Sequence, residues 1–127
     1  MAATFGLGAI GQILVPVSDV DRAVTFYRDT LGMHFLFQYP GMGFFDCNGI
    51  RLLLGVPEAG QTFGPVTIYY QVDDLDEAVA ALESRGVTFE FPAHVVHETE
   101  ATALWMAALK DPDANPVVLM SERPKAA

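Results

Sequence analysis

The chain is poor in cysteine, in basic residues and in long apolar runs. Cys47 is its single cysteine, which excludes an intramolecular disulfide and any metal site built from several thiolates. Seven basic residues stand against sixteen acidic ones, for a formal net charge of −9, and this balance would repel nucleic-acid phosphates and anionic lipid. No wholly apolar run approaches the roughly 20 residues that span a bilayer. We therefore expect no nucleic-acid partner and no membrane segment.

The length and the start of the chain indicate one globular domain. A chain of 127 residues buries about two thirds of its unfolded surface, which is enough for a real core. Residues 1–9 contain neither a basic start nor a long apolar stretch, so the sequence predicts no signal peptide. We expect a single domain over residues 8–122, located in the cytoplasm.

The strongest positive signal is an internal repeat with an offset of 55 residues. Residues 17–28 and 72–83 share five of twelve residues, and each copy precedes a helical pattern that stops at a glycine. The ends of the two copies, residues 46–55 and 111–120, align at an offset of 65. The second copy therefore carries about ten extra residues, which we expect as a polar loop or lid around residues 94–102.

Hydrophobic periodicity gives each copy the order βαβββ, with a helix that begins at the capping residue Ser18 or Asp74. Strands are predicted at residues 10–17, 33–39, 43–46, 50–54, 66–72, 88–91, 104–110 and 116–120. The two units cover about residues 8–56 and 66–122, and a connector rich in proline and glycine joins them. The predicted fold class is α+β, with two βαβββ units whose mixed sheets curve around a cleft.

Three motifs carry a family resemblance. The segments VSDVDRAVTFYRDTLG and VDDLDEAV and the DPD turn, each in its place between strands, resemble the vicinal oxygen chelate superfamily. That superfamily includes glyoxalase I, bleomycin- and fosfomycin-resistance proteins, methylmalonyl-CoA epimerases and extradiol dioxygenases. The resemblance covers residues 8–122. It implies the same fold and a homodimer, because single-chain members with two units commonly pair, but it identifies no substrate.

The resemblance also implies where a metal ion would be held. Metal-dependent members take one ligand from the first strand and one from the last strand of each unit. These positions are occupied here by Gln12, Leu53, Thr67 and Val118. Divalent metals in such sites need imidazole and carboxylate donors, and only Gln12 keeps a donor of the family's kind. We predict no metal ion and no other cofactor, although the His94-x-x-His97 spacing leaves a metal-binding pair open as the alternative.

Strand parity assigns the residues that line the cleft. One set of alternating residues faces the helices, namely Ile13, Val15, Val17, Ile68, Tyr70 and Val72. The opposite set consists of Gln12, Leu14, Arg51, Leu53, Thr67, Tyr69, Gln71, Val118 and Met120. Apolar walls with a few separated polar groups are typical of a small-molecule pocket, and this many polar groups do not suit a sealed core. We predict that the second set binds a small, partly apolar ligand.

Several side chains have two interpretations at this stage. Arg51 either clamps a ligand carboxylate or phosphate, or lies at a strand end in solvent. Trp105 either stacks on a planar ligand or belongs to the core. His94 and His97 either hydrogen-bond a ligand and move a proton, or are ordinary surface residues.

The predicted function is binding of a small molecule without a metal, as in the bleomycin-resistance members. One alternative is a glyoxalase-, epimerase- or dioxygenase-like enzyme with a non-standard metal site. Another is a metal-independent enzyme that uses Gln12, Tyr69 or a histidine for acid–base work. The metal-free classes are favoured because chelation of vicinal oxygens needs an ion. We interpret the phenylalanines at positions 26, 35, 37, 44, 45, 89 and 91 as core and subunit interface.

Overall fold

Two units with the same order of elements make up the protein, in a computed structural model that describes residues 5–125. The strands are β1 (Gln12–Pro16), β2 (His34–Tyr39), β3 (Met42–Cys47), β4 (Ile50–Gly55), β5 (Ile68–Gln71), β6 (Phe91–Glu98), β7 (Thr102–Lys110) and β8 (Pro116–Pro124). The helices are α1 (Val20–Thr25), continued by a π-helical turn (Phe26–Thr30), and α2 (Leu75–Ser84). Neither helix, in the part of the chain described, is long and apolar enough to cross a membrane.

The strands form two four-stranded mixed sheets. Their orders are β1-β4-β3-β2 and β5-β8-β7-β6. In each sheet the first and last strands of the unit run parallel, and the remaining pairs are antiparallel. This arrangement confirms the predicted α+β class and the two βαβββ-like units.

In each unit, the residue that follows the first strand makes an equivalent hydrogen bond to the last strand. The N–H of Val17 donates to the carbonyl of Gly55 at 3.0 Å, and the N–H of Val72 donates to the carbonyl of Met120 at 3.0 Å. The donors are separated by the offset found at the start of the repeat, and the acceptors by the larger offset found at its end. The sequence repeat therefore corresponds to equivalent hydrogen bonds at the edge of each sheet.

An aspartate caps the N-terminus of each helix. The side chains of Asp19 and Asp74 accept hydrogen bonds from the N–H groups three residues later, at 3.1 and 3.0 Å. The first cap is therefore Asp19, and the predicted cap at Ser18 is wrong. The Ser18 hydroxyl instead donates to the carboxylate of Asp113 at 2.6 Å, across to the second unit.

Each helix covers one face of its own sheet, as strand parity predicted. Val15 and Leu52 of the first sheet are buried with Val24 of α1, and Ile13 packs beside them. Gly43 permits this close approach, because a Cβ at that position would stand 2.6 Å from a methyl group of Val24. In the second unit the sheet packs in the same way on Leu75 and Leu82 of α2. We call the covered face of each sheet the helix face and the other the open face.

The ten extra residues of the second unit do not form the predicted loop or lid. They lengthen a hairpin, because β6 runs from Phe91 to Glu98 and pairs with β7. The strand predicted at residues 88–91 therefore begins and ends too early. β6 is an edge strand with most of its residues exposed, so it lacks the alternation of apolar and polar residues that marks a half-buried strand.

A buried carboxylate joins the two units. Asp111, which follows β7, accepts hydrogen bonds from the Tyr27 hydroxyl at 2.8 Å and from the side-chain amide of Asn115 at 2.9 Å. The same amide donates to the Pro16 carbonyl at 2.9 Å. Burial raises the pKa of Tyr27 above its ordinary value, and the charge of Asp111 raises it further. Tyr27 therefore remains a protonated donor at neutral pH.

Candidate functional site

The open face of the first sheet carries four of the predicted ligand contacts in two neighbouring rows. Cross-strand register sets the rows, and residues in register project from the same face of a sheet. The central row consists of Leu14, Leu53, Phe44 and Phe37. The next row consists of Gln12, Arg51, Asp46 and His34. An apolar row therefore lies beside a polar row, and the predicted Gln12, Leu14, Arg51 and Leu53 lie together.

Three aromatic side chains form a patch on this open face, which we call the aromatic patch: Phe37, Tyr39 and Phe44. Ring centroids are 4.7 Å apart for Phe37 and Phe44, and 5.3 Å apart for Phe37 and Tyr39. Phe37 is 41% exposed and Tyr39 is 55% exposed. The guanidinium carbon of Arg51 lies 5.8 Å from the centroid of the Phe44 ring. An aromatic surface of mutually tilted rings therefore has a cation at its border.

Sequence reasoning missed the aromatic patch because of an irregularity in β2. The pairing of β2 with β3 shifts register between Phe35 and Phe37. Phe35 lies opposite Phe45 and packs on the helix-face core, whereas Phe37 lies opposite Phe44 on the open face. Two residues that strict alternation places on one face thus lie on opposite faces. Phe37 is therefore exposed and does not belong to the core, so of the predicted roles as core and subunit interface only the second stays a prediction for this residue.

The open face of the second sheet brings together five other predicted residues. One row consists of Tyr69, Val118, Ala108 and Phe91. The next consists of Gln71, Met120, Met106 and His94. His94 therefore reaches this face from a strand and not from a loop, and its Nδ1 lies 2.8 Å from the carbonyl oxygen of Pro92. His97 lies opposite Leu104, on the same face one row further along.

Two predicted contacts lie elsewhere. Trp105 belongs to the helix face of the second sheet, where it packs against the core beneath α2, and the guanidinium of Arg123 covers its ring at 4.6 Å. Of its two interpretations, the core one matches this placement. Thr67 is exposed and lies just before β5, so it is on neither sheet.

A pocket of about 480 Å³ lies between the two units, and we call it the inter-unit pocket. Tyr69, Gln71 and Met120 line it from the second unit, and Ile13 and Leu52 line it from the first. The first-unit residues are those of the helix face, not the predicted cleft residues. Apart from Thr67, the predicted cleft set therefore divides within one chain into two groups, one on each open face.

The four positions at which the family resemblance implies metal ligands offer few donors. Gln12 and Leu53 lie on the parallel strands of the first unit and Val118 lies on β8, whereas Thr67 precedes β5. Within residues 5–125, no cluster of three or more His, Cys, Asp or Glu side chains is arranged to hold an ion.

Comparison with known proteins gives one family. A sequence model of the Glyoxalase/Bleomycin resistance protein/Dioxygenase superfamily matches residues 9–119. A glyoxylase-like domain-containing protein of Didymella fabae is 31% identical in an alignment 93 residues long, and the match covers 62% of this chain and 69% of that protein.

Two solved structures illustrate the likeness. The lactoylglutathione lyase of Agrobacterium tumefaciens is 25% identical, with a TM-score of 0.76 over 91% of this chain and 94% of its own. TnmS3, an antibiotic-binding protein from a Streptomyces species, is 26% identical, with a TM-score of 0.71 over 96% of this chain and 100% of its own. The same fold thus occurs in a lyase and in a binding protein.

Proposed function

Because the chain belongs to the Glyoxalase/Bleomycin resistance protein/Dioxygenase superfamily, we propose that it binds a small, partly apolar ligand on the open face of its first sheet. The aromatic patch is the observation that carries this proposal. Phe44 is buried at the base of the patch, but Phe37 and Tyr39 are exposed beside each other. Large aromatic side chains exposed in this way mark a binding surface, because their burial by a ligand is favourable. The similarity to an antibiotic-binding protein supports a binding role.

The residues around the patch define the ligand. Phe37 and Tyr39 offer ring surfaces on which a planar group can stack, and Leu14 and Leu53 continue the apolar wall. Arg51 supplies a cation with several N–H donors, and Gln12 beside it supplies an amide. The proposed ligand is therefore a planar apolar molecule with one anionic group, such as a carboxylate.

We propose further that binding needs no metal ion. Leu53 and Val118 stand where carboxylates are expected from the family resemblance, and aliphatic side chains cannot ligate a cation. Elemental mass spectrometry of the native protein should find no stoichiometric zinc, nickel, iron or manganese. About one transition metal per chain that survives mild chelation would contradict this proposal.

A fluorescent aromatic sulfonate, anilinonaphthalene sulfonate, tests the binding surface because it is planar, apolar and anionic. Arg51→Gln should weaken its binding about tenfold, since a charge-assisted contact is worth roughly 1.5–3 kcal/mol and this one is exposed. Phe37→Ala should weaken it as well. The matched controls are Arg28→Gln, an exposed arginine paired with Asp29, and Phe91→Ala, an exposed phenylalanine of the second sheet.

The two control variants should bind the dye like the unaltered protein. Equal losses in Arg28→Gln and Arg51→Gln would show a general effect of charge and would contradict the proposed site. Equal losses of dye affinity in Phe91→Ala and Phe37→Ala would show that the dye does not prefer the first sheet, which would contradict the proposed site. Mass spectrometry of molecules that copurify with the native protein would then identify the natural ligand.

A further inference from the structure

The inter-unit pocket has largely apolar walls, and its lining includes one buried polar group that lacks a hydrogen-bond partner. Ile13, Leu52 and Met120 form apolar walls, and the lining includes no charged side chain. Its volume of about 480 Å³ falls within the range of pockets that hold drug-sized molecules. The pocket is therefore large enough and apolar enough for a small organic molecule.

Tyr70 supplies the polar group. Its side chain lines the pocket, and its hydroxyl is buried without a hydrogen bond to any protein atom of the described chain. Burial raises the pKa of this hydroxyl, and Cys47, which also lines the pocket, and the charge of Asp111 raise it further. Tyr70 therefore keeps its proton at neutral pH and can donate a hydrogen bond. A buried hydroxyl without a partner is unfavourable, so an acceptor oxygen beside it would be bound favourably.

The charge of the surroundings selects the kind of acceptor. The pocket lacks the guanidinium that borders the aromatic patch, and the whole protein carries a formal charge of −9. An anion in this pocket would lose its hydration without gaining a countercharge. The amides of Gln71 and Asn48 offer further hydrogen bonds to a neutral polar group.

We propose that the inter-unit pocket is a second binding site, selective for a neutral, largely apolar molecule whose carbonyl oxygen accepts a hydrogen bond from Tyr70. The pocket shares no lining residue with the aromatic patch, so the two are separate sites. The two sites differ in charge preference, because Arg51 borders one and no cation lines the other. The protein thus has room for two chemically different small molecules.

The neutral aromatic ketone prodan is a suitable probe, because its fluorescence reports both an apolar environment and hydrogen bonding to its carbonyl. We expect saturable binding with a blue-shifted emission. Tyr70→Phe removes only the hydroxyl and should weaken prodan binding about two- to tenfold, as expected for one neutral hydrogen bond. The same substitution should leave the thermal midpoint of the free protein unchanged or raise it, since the deleted hydroxyl has no protein partner.

Two tryptophan substitutions test the location. Ile50→Trp places a large side chain in the pocket and should abolish prodan binding. Val96→Trp is the matched control, a β-branched residue on the exposed edge strand β6 outside the pocket, and it should bind prodan normally. If Ile50→Trp fails to fold, as judged by circular dichroism, Tyr70→Phe decides the question alone.

Three results would overturn the proposal. Unchanged prodan affinity in Tyr70→Phe would show that the hydroxyl binds nothing in the pocket. Equal weakening by Val96→Trp would show that binding is not local. Loss of prodan binding in Phe37→Ala or Arg51→Gln would show that the probe binds at the aromatic patch and not in the inter-unit pocket. Loss of anilinonaphthalene sulfonate binding in those two variants, with prodan binding intact, would support both sites independently.

Discussion

At the scale of single residues, two buried tyrosines show opposite relations to their surroundings. The Tyr27 hydroxyl donates to the buried carboxylate of Asp111, while the Tyr70 hydroxyl has no protein partner. Removing a donor from a buried carboxylate leaves a charge poorly compensated, whereas removing a hydroxyl that bonds to nothing loses little. Replacement by phenylalanine therefore separates the contribution of the hydrogen bond from that of the ring.

Tyr27→Phe should destabilise the protein by about 1.5–3 kcal/mol, the usual worth of a hydrogen bond to a charged group. Tyr70→Phe is the control and should not lower stability. Urea unfolding followed by circular dichroism measures both changes on the same scale. Equal effects of the two substitutions would show that the Tyr27–Asp111 hydrogen bond does not stabilise the junction of the units.

At the scale of secondary-structure elements, β4 separates a packed face from an open one along a single strand. Leu52 is 2% exposed and belongs to the core beneath α1, while the adjacent Leu53 lies on the open face beside Leu14. A close-packed position rejects added volume, because the larger side chain forces neighbours out of their preferred rotamers. An open face can accept the same volume.

Leu52→Trp should therefore cost on the order of 1 to 3 kcal/mol or more, while Leu53→Trp should leave the thermal midpoint nearly unchanged. Leu53→Trp should also reduce binding of anilinonaphthalene sulfonate, because the new ring occupies the surface beside Phe44. Differential scanning fluorimetry and dye titration on the pair make the comparison. A large fall in midpoint for Leu53→Trp would show that this face is filled core.

The elements also show what the sequence could predict. Alternation in β1 and β4 identified the open-face set around Gln12 and Arg51, since regular strands obey a period of two. The bulge near Leu36 was not predictable, because one extra residue in a strand leaves no mark on composition. The bounds of β6 were not predicted for a related reason. Its two register shifts and its exposed edge remove the two-residue alternation of apolar and polar side chains.

The candidate site was predictable to the same degree. The open-face positions of β1, β4, β5 and β8 followed from parity, and the repeat linked the two units. The position of Trp105 did not follow, because no pattern in the sequence showed which face of β7 meets α2. The inter-unit pocket depends on how the two units pack side by side, and a pattern within one strand does not contain that information.

At the scale of the whole molecule, apolar surface remains uncovered on both sheets. Phe37 and Tyr39 of the first open face and Tyr69 and Phe91 of the second are all at least 41% exposed. Strand edges and apolar faces of this kind are commonly covered by a second copy of the chain, and a ligand on the aromatic patch would then lie between the two copies. We therefore expect a homodimer, and sedimentation at micromolar concentration should find twice the mass of the chain. A monomer under those conditions would contradict this prediction.

Alkaline pH should weaken the fold through the buried tyrosines. Burial raises the folded-state pKa of Tyr27 and of Tyr70, whereas in the unfolded chain tyrosine titrates near pH 10. Above that pH the unfolded chain binds fewer protons than the folded one, so stability falls as pH rises. Each tyrosine should contribute a loss of about 1.4 kcal/mol per pH unit.

Urea unfolding at several pH values between about 9 and 11.5 measures this decline. Tyr70→Phe should show a shallower decline than the unaltered protein, by the contribution of one tyrosine. Identical slopes for the two proteins would mean that Tyr70 ionises as readily in the folded state as in the unfolded one.

The connector between β4 and β5, residues 56–67, is mostly exposed, and the units that it joins each have a complete sheet and helix. Contacts such as those of Tyr27 with Asp111 and of Pro16 with Asn115 fix how the units meet. The covalent link then mainly raises the effective concentration of one half around the other. Two separately expressed halves should accordingly reassemble into the native fold, with a stability that depends on their concentration.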